Sequence, residues 1–138
     1  MHTFDSNSLE LLRMFEMHTH AKANDVIQEG DNIIFLVEEG SLAKAIGKAG
    51  STLQRLRQAL KPKTVEVVED AEDLRVFVAK VLRGANIREI MVEENPSRVI
   101  VSVDSATRGL AIGRNGVTIK KLRFLLKRKF NVGEAKIV

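Results

Sequence analysis

Ala45-Ile46-Gly47-Lys48-Ala49-Gly50-Ser51-Thr52-Leu53-Gln54-Arg55-Leu56-Arg57-Gln58-Ala59-Leu60 is matched without a gap, 66 residues later, by Ala111-Ile112-Gly113-Arg114-Asn115-Gly116-Val117-Thr118-Ile119-Lys120-Lys121-Leu122-Arg123-Phe124-Leu125-Leu126, with eight of the sixteen positions identical. An internal repeat outranks any single-element reading, because it sets the size of the folding unit. The same offset carries Ile33–Val37 onto Val99–Val103 and the helical pattern after Asp5 onto one after Ala71. Two copies of a unit of about 66 residues therefore fill the 138-residue chain.

Each copy reads α-β-β-α-α-β. Asp5, Ser6 and Asn7 are candidate N-caps, and Asn7 with Glu10 has capping-box spacing. Leu9, Leu11, Leu12 and Phe15 follow at helical intervals. The matching helix is expected to start between Asp70 and Asp73 and to run to about Arg83, with Gly84 just past its end. A hairpin comes next in each copy: Val26 and Ile27, the turn Glu29-Gly30-Asp31-Asn32, then Ile33–Val37; and Ile87–Val92, the turn 93–97, then Val99–Val103. Short helices are expected at Leu42–Ile46 and Arg108–Ile112, each broken by a glycine pair. The longer helices behind them carry Leu53, Leu56 and Leu60, or Ile119, Leu122 and Leu126, at i, i+3 and i+7. Thr64–Glu69 and Ala135–Val138 close the units. The expected class is α+β, an α/β sandwich of two units, 1–70 and 71–138, each with a three-stranded sheet. Units this small are marginal alone, and the joint Glu69-Asp70-Ala71 is short, so the two are expected to pack as a rigid pair.

There is no cysteine, which excludes disulfides and thiolate metal sites and suits a reducing, cytoplasmic setting. No apolar run approaches the roughly 18–20 residues that span a bilayer, and the start of the chain lacks signal-peptide layout, so no membrane partner is expected. Charge is unevenly shared. Residues 1–70 hold 8 Lys/Arg against 11 Asp/Glu, a net of −3, and residues 71–138 hold 14 against 7, a net of +7. From Gly40 to Val65 and from Ser105 to Gly133 there is no acidic residue, yet these windows hold 14 of the 22 basic ones. An ordinary solvated surface mixes signs, whereas segregation of this kind is the footprint of a polyanion site. With six Phe and neither Trp nor Tyr, binding through exposed stacked rings is disfavoured.

Chemistry concentrates at Gly47-Lys48-Ala49-Gly50 and Gly113-Arg114-Asn115-Gly116. Two glycines three apart allow a sharp turn and a close backbone approach. The helix that follows offers its unpaired N–H groups and the positive end of its dipole, an arrangement suited to phosphate. Lys48 and Arg114 occupy the same central position in the two loops.

A Gly-x-x-Gly loop between two helices, flanked by three strands, resembles the KH domain, and the α-β-β-α-α-β order resembles its type II form. Two such units joined without a linker resemble the tandem pair of the NusA transcription factors, the short archaeal members in particular. The resemblance covers essentially the whole chain. It implies two tandem type II KH domains that hold single-stranded RNA in a groove, with the glycine loop gripping the backbone and an apolar floor under the bases. Carried over, the RNA-binding residues are Ile46, Gly47, Lys48, Ala49, Gly50 and Arg55 in the first unit. In the second they are Ile112, Gly113, Arg114, Asn115, Gly116, Lys120 and Lys121. Leu36 and Ile100 on the adjacent strands are candidates for the floor. RNA polymerase or nascent transcript complexes are the further partners implied. The polymerase-binding and oligonucleotide-binding barrel domains of bacterial NusA have no counterpart among these residues.

Nothing points to an enzyme, a metal or a cofactor. His18-Thr19-His20 sets alternating residues that diverge on a helix, and Ala49 stands where a phosphate-binding loop needs Ser or Thr. Asn95-Pro96-Ser97 fails as a glycosylation site because of its proline. Three readings stay open on the residues: a NusA-type transcription elongation or termination factor, an RNA-binding module in ribosome assembly or RNA decay, and a KH-fold scaffold for another protein. A monomer is expected.

Overall fold

A computed structural model of the chain describes residues 6–138. These divide into two compact units, the first ending at Ala71 and the second running from Glu72 to Val138. The first contains α1 (Ser6–Thr19), β1 (Ala23–Glu29), β2 (Asn32–Val37), α2 (Leu42–Ile46), α3 (Ser51–Ala59) and β3 (Thr64–Glu69). The second contains α4 (Leu74–Val81), β4 (Ile87–Glu93), β5 (Arg98–Val103), α5 (Arg108–Ile112), α6 (Val117–Phe130) and β6 (Glu134–Ile137). Each unit is a mixed α+β body with one three-stranded sheet, ordered β1-β2-β3 and β4-β5-β6. In both sheets the hairpin pair is antiparallel and the closing strand runs parallel to the middle one, Ile33 opposite Val65 and Val99 opposite Ala135. A parallel neighbour demands a crossover, and α2–α3 and α5–α6 supply it.

In the first unit Ile33, Phe35 and Val37 of β2 pack with Leu11, Phe15, Ala45 and Leu56 from the helices. The Phe15 and Phe35 rings stack with centroids 4.6 Å apart. Successive strand residues face opposite ways, so Ile34 and Leu36 occupy the other face of the sheet, and they too are buried. The uninterrupted run Ile33-Ile34-Phe35-Leu36-Val37 is the pattern of a strand covered on both sides. β5 instead alternates: Val99, Val101 and Val103 are buried, while Ile100 and Ser102 are only half-buried.

The helix ends depart from expectation in specific ways. Ser6 and Asn7 are already helical, so Asn7–Glu10 is no capping box, and Asp5 lies outside the described residues. α1 stops where Thr19 donates its hydroxyl to the Phe15 carbonyl and accepts from the Ala21 N–H, with His20 in the left-handed region at φ 58°. α4 is shorter than expected. Asp73 caps it by accepting from the Val76 N–H at 3.0 Å, and it ends at Val81. Leu60 is buried but lies beyond α3, which is 9 residues against 14 in α6. Pro62 stands where α6 has Arg128, and proline disfavours helix in the residue before it as well as in its own turn.

Candidate nucleic-acid interface

The two glycine loops follow the same backbone path. Gly47 has φ 78°, ψ 173° and Gly113 has φ 81°, ψ 165°. Ala49 (52°, 29°) matches Asn115 (56°, 25°), and Gly50 (75°, 10°) matches Gly116 (74°, 18°). Three positive φ values in four residues reverse the chain within a single turn of 3₁₀ helix, closed by Gly50 N–H to Gly47 C=O and by Gly116 N–H to Gly113 C=O, both 3.1 Å. The first and second glycines are required for different reasons. A Cβ on Gly47 would lie 2.2 Å from Thr52 Oγ1 and 2.9 Å from its backbone nitrogen, and one on Gly113 would lie 2.5 and 2.7 Å from the same atoms of Thr118. A Cβ on Gly50 would meet nothing within 4 Å, so only its φ calls for glycine there.

Between the glycines Lys48, Ala49, Arg114 and Asn115 are exposed. Ile46 and Ile112, the last residues of α2 and α5, are half-buried beside them. Gly50 and Gly116 are the N-caps of α3 and α6, and neither helix has a side-chain cap bond or an acid in its first turn. Arg55 is exposed on α3, Lys120 is exposed on α6, and Lys121, the counterpart of Arg55, is half-buried. Neither window, Gly40–Val65 or Ser105–Gly133, contains an acidic residue. Each loop therefore sets an exposed cation beside the positive end of a helix.

The structure removes Leu36 from the floor: it is 3% exposed, on the face of the sheet away from α1–α3. Ile100, by the alternation of β5, shares neither face nor burial with Val99 and Val101. Not every base in the windows is directed at a ligand. Arg57 donates Nε to the Val65 carbonyl (3.4 Å), and its counterpart Arg123 donates Nε to the Ala135 carbonyl (3.0 Å), each tying a helix to the closing strand. Thr52, Thr118, Arg57 and Arg123 were missed as a group by a reading centred on glycines and charge. The signal was present, since all four are identities in the repeat.

The KH domain family matches residues 73–138, which contain the second loop. The "Probable transcription termination protein NusA" of Halococcus morrhuae is 35% identical over 136 residues, 98% of this chain and 97% of that protein. The chain belongs to the archaeal NusA family. The crystal structure of APE1850 superposes on this family member with a TM-score of 0.90 at 32% identity, covering 98% of this chain and all of that one. A shorter likeness, 41% over 64 residues, links it to the Small ribosomal subunit protein uS3 of Desulfovibrio desulfuricans, covering 46% of this chain and 30% of that protein. Among the described residues of this NusA relative, no helix is long and apolar enough to cross a membrane, and no group of three or more His, Asp or Glu is placed to hold a metal ion.

Proposed function

We propose that this NusA-family chain binds single-stranded RNA in transcription elongation or termination, with residues 1–70 and 71–138 each acting as a KH domain and both glycine loops gripping the sugar-phosphate backbone. The observation that carries the reading is the duplicated loop: one backbone path twice, each with an exposed cation at an uncapped helix start in an acid-free window. Ile46 and Ile112 supply the apolar contact next to each loop. Arg55, Lys120 and Lys121 extend the charge along the helices. RNA polymerase and nascent transcripts are the partners this role implies.

Two double variants test the loops: Lys48→Asp with Ala49→Asp, and Arg114→Asp with Asn115→Asp. Aspartate tolerates the left-handed φ at positions 49 and 115, so both should fold. Each replaces an attractive phosphate contact with repulsion, which should weaken binding at least tenfold, or about 1.4 kcal/mol. The second should weaken it more, because its unit is the more basic. The parent should prefer single strand to duplex, and log affinity should fall with log salt by about 0.7 for each phosphate neutralised. Parent-like binding by both folded variants would reduce the loops to structural turns. The uS3 likeness favours a second reading, an RNA-binding module at the ribosome. Purification from cells with and without nuclease separates them by whether polymerase or ribosomal particles accompany the chain.

A further inference from the structure

β4 is an edge strand with an open outer side. Among the described residues it pairs with β5 alone, while β6 occupies the opposite edge of the sheet. In an antiparallel pair alternate residues turn their N–H and C=O groups away from the partner strand, so β4 offers a row of ladder positions on its far side. The register is irregular between Ile87 and Glu89 and regular from Glu89 to Glu93. Side chains of that regular stretch divide by face. Ile90 and Val92 lie opposite Val101 and Val99 on the core side, and Glu89, Met91 and Glu93 lie opposite Ser102, Ile100 and Arg98 on the other. Glu89 is exposed and Met91 is 46% exposed, an apolar residue between two carboxylates. Glu93 is half-buried and takes both Arg98 bonds, 2.9 and 2.6 Å, on Oε1, so Oε2 remains as a further acceptor. The first unit differs at the same place. Ile27 lies opposite Ile34 as Met91 lies opposite Ile100, and Ile27 is only 2% exposed.

We infer that β4 is a docking edge for another protein, taking an extended segment that carries a base, an apolar residue and a base at alternate positions. Such a segment adds a fourth strand to the sheet. Its main chain bonds to the open side of β4, and its side chains on one face meet Glu89, Met91 and Glu93. Charge selects the occupant. Opposite charges directly across a strand pair attract and like charges repel, so lysines or arginines spaced like Glu89 and Glu93 match this row. The flexible thioether of Met91 adapts to the apolar residue between them. A second copy of this chain does not match. Two β4 strands paired antiparallel about Met91 would set Glu89 against Glu93 at both ends, carboxylate on carboxylate. Nucleic acid is repelled by the same two carboxylates. The inference stands apart from the RNA reading, because β4 lies across β5 from β6 and outside both acid-free windows.

The test is a nuclear magnetic resonance titration of the whole chain with three synthetic peptides. Their cores are Lys-Thr-Val-Thr-Lys, the charge-reversed Glu-Thr-Val-Thr-Glu, and the scrambled Lys-Lys-Val-Thr-Thr. The first should bind about tenfold more tightly than the second, shift the amide signals of Glu89 to Glu93 and slow their hydrogen exchange. The scramble keeps the charge and loses the alternation, so it should bind several-fold more weakly than the first. Glu89→Lys with Glu93→Lys should reverse the preference between the first two peptides, which an unfolded variant cannot do. Met91→Ser should weaken the first peptide several-fold while the same β4 signals shift at saturation. Equal binding of the first peptide and its scramble, or shifts centred away from β4, would overturn the inference. The edge charges would then serve only to guard the sheet against unwanted pairing. A preference left unchanged by the double lysine variant would overturn it too. So would sedimentation of the parent as a dimer that Met91→Glu dissolves, since a second copy would then be the occupant.

Discussion

The two glycine loops have one backbone and two chemistries. Gly47 and Gly113 sit at φ 78° and 81° against the threonines that open the following helices, but the residues between the glycines are Lys48-Ala49 in one and Arg114-Asn115 in the other. The positions that packing fixes are the same in both copies, and the exposed positions have diverged. The same contrast recurs at either end of the helical pair. Neither Ser41 nor Thr107 makes a side-chain cap bond to the helix it opens, but Thr107 is joined to Asp104 and Asn86 by hydrogen bonds that involve side chains. α6 runs on to Asn131 where Pro62 forbids α3 to continue. The repeat therefore supplies the frame, and the differences decide which unit carries more of the interface.

The strongest way to break this comparison is to add a methyl group to each glycine. Gly47→Ala and Gly113→Ala place a carbon inside contact distance of threonine side chain and backbone alike, at backbone angles that suit glycine almost alone. Each should cost about 3 kcal/mol or more. Gly50→Ala meets open space and should cost only the left-handed penalty, about 1–2 kcal/mol. Urea unfolding midpoints for the four alanine variants, Gly116→Ala included, check the ranking. Equal costs at Gly47 and Gly50 would show that φ alone, and not the Thr52 contact, dictates the first glycine.

That distinction marks where the sequence stops being legible. A repeated Gly-x-x-Gly announces a turn, and Leu42–Ile46 and Arg108–Ile112 were readable as helices because the glycines bound them. The reason the first glycine cannot change is a contact with a residue five positions on, and no periodicity in the pattern reports it. Leu36 fails as a floor residue for a related cause. Alternation and burial are separate facts, and a strand that is apolar at every position hides which face meets the helices. Charge counting likewise merged two populations, since Arg57 and Arg123 hold helix to strand while Lys48 and Arg114 stand free of any acid in their windows.

Those two arginines give the next difference. Arg123 reaches its carbonyl at 3.0 Å and Arg57 at 3.4 Å. Arg123→Gln should therefore cost about 1 kcal/mol, the usual net value of one such bond, and Arg57→Gln less. Thermal unfolding of both variants gives the order, and the reverse order would mean that the anchors are not equivalent.

A smaller effect separates Ala49 from Asn115, which share a left-handed conformation that asparagine tolerates and alanine does not. Exchanging them should stabilise at one site and destabilise at the other: Ala49→Asn gains about 0.5 kcal/mol and Asn115→Ala loses about as much. Chemical denaturation of the two single variants measures both signs, and a gain from Asn115→Ala would contradict the strain argument.

The last difference is one of pH. The Asp104 carboxyl is held below its ordinary value, first by the Thr107 hydroxyl, then by the Asn86 amide at 2.7 Å and by the Thr107 backbone N–H at 2.9 Å. All three donate to the ionised form and favour it over the acid. A carboxyl whose folded pKa is depressed contributes stability above its unfolded value, about 3.9, and loses that contribution as pH falls through the lower folded value. At the entry to α2 the Ser41 N–H donates instead to the Glu38 backbone carbonyl, a bond without this titration. Asp104→Asn should thus lower the unfolding midpoint at neutral pH, and the gap from the parent should close as pH drops below about 4. Thr107→Val keeps the carboxylate but removes the hydroxyl that depresses it most, so its acid loss should be smaller than the parent's and complete at a higher pH. A gap between parent and Asp104→Asn that stays constant from neutral pH into acid would mean that the aspartate acts through shape and not through its charge.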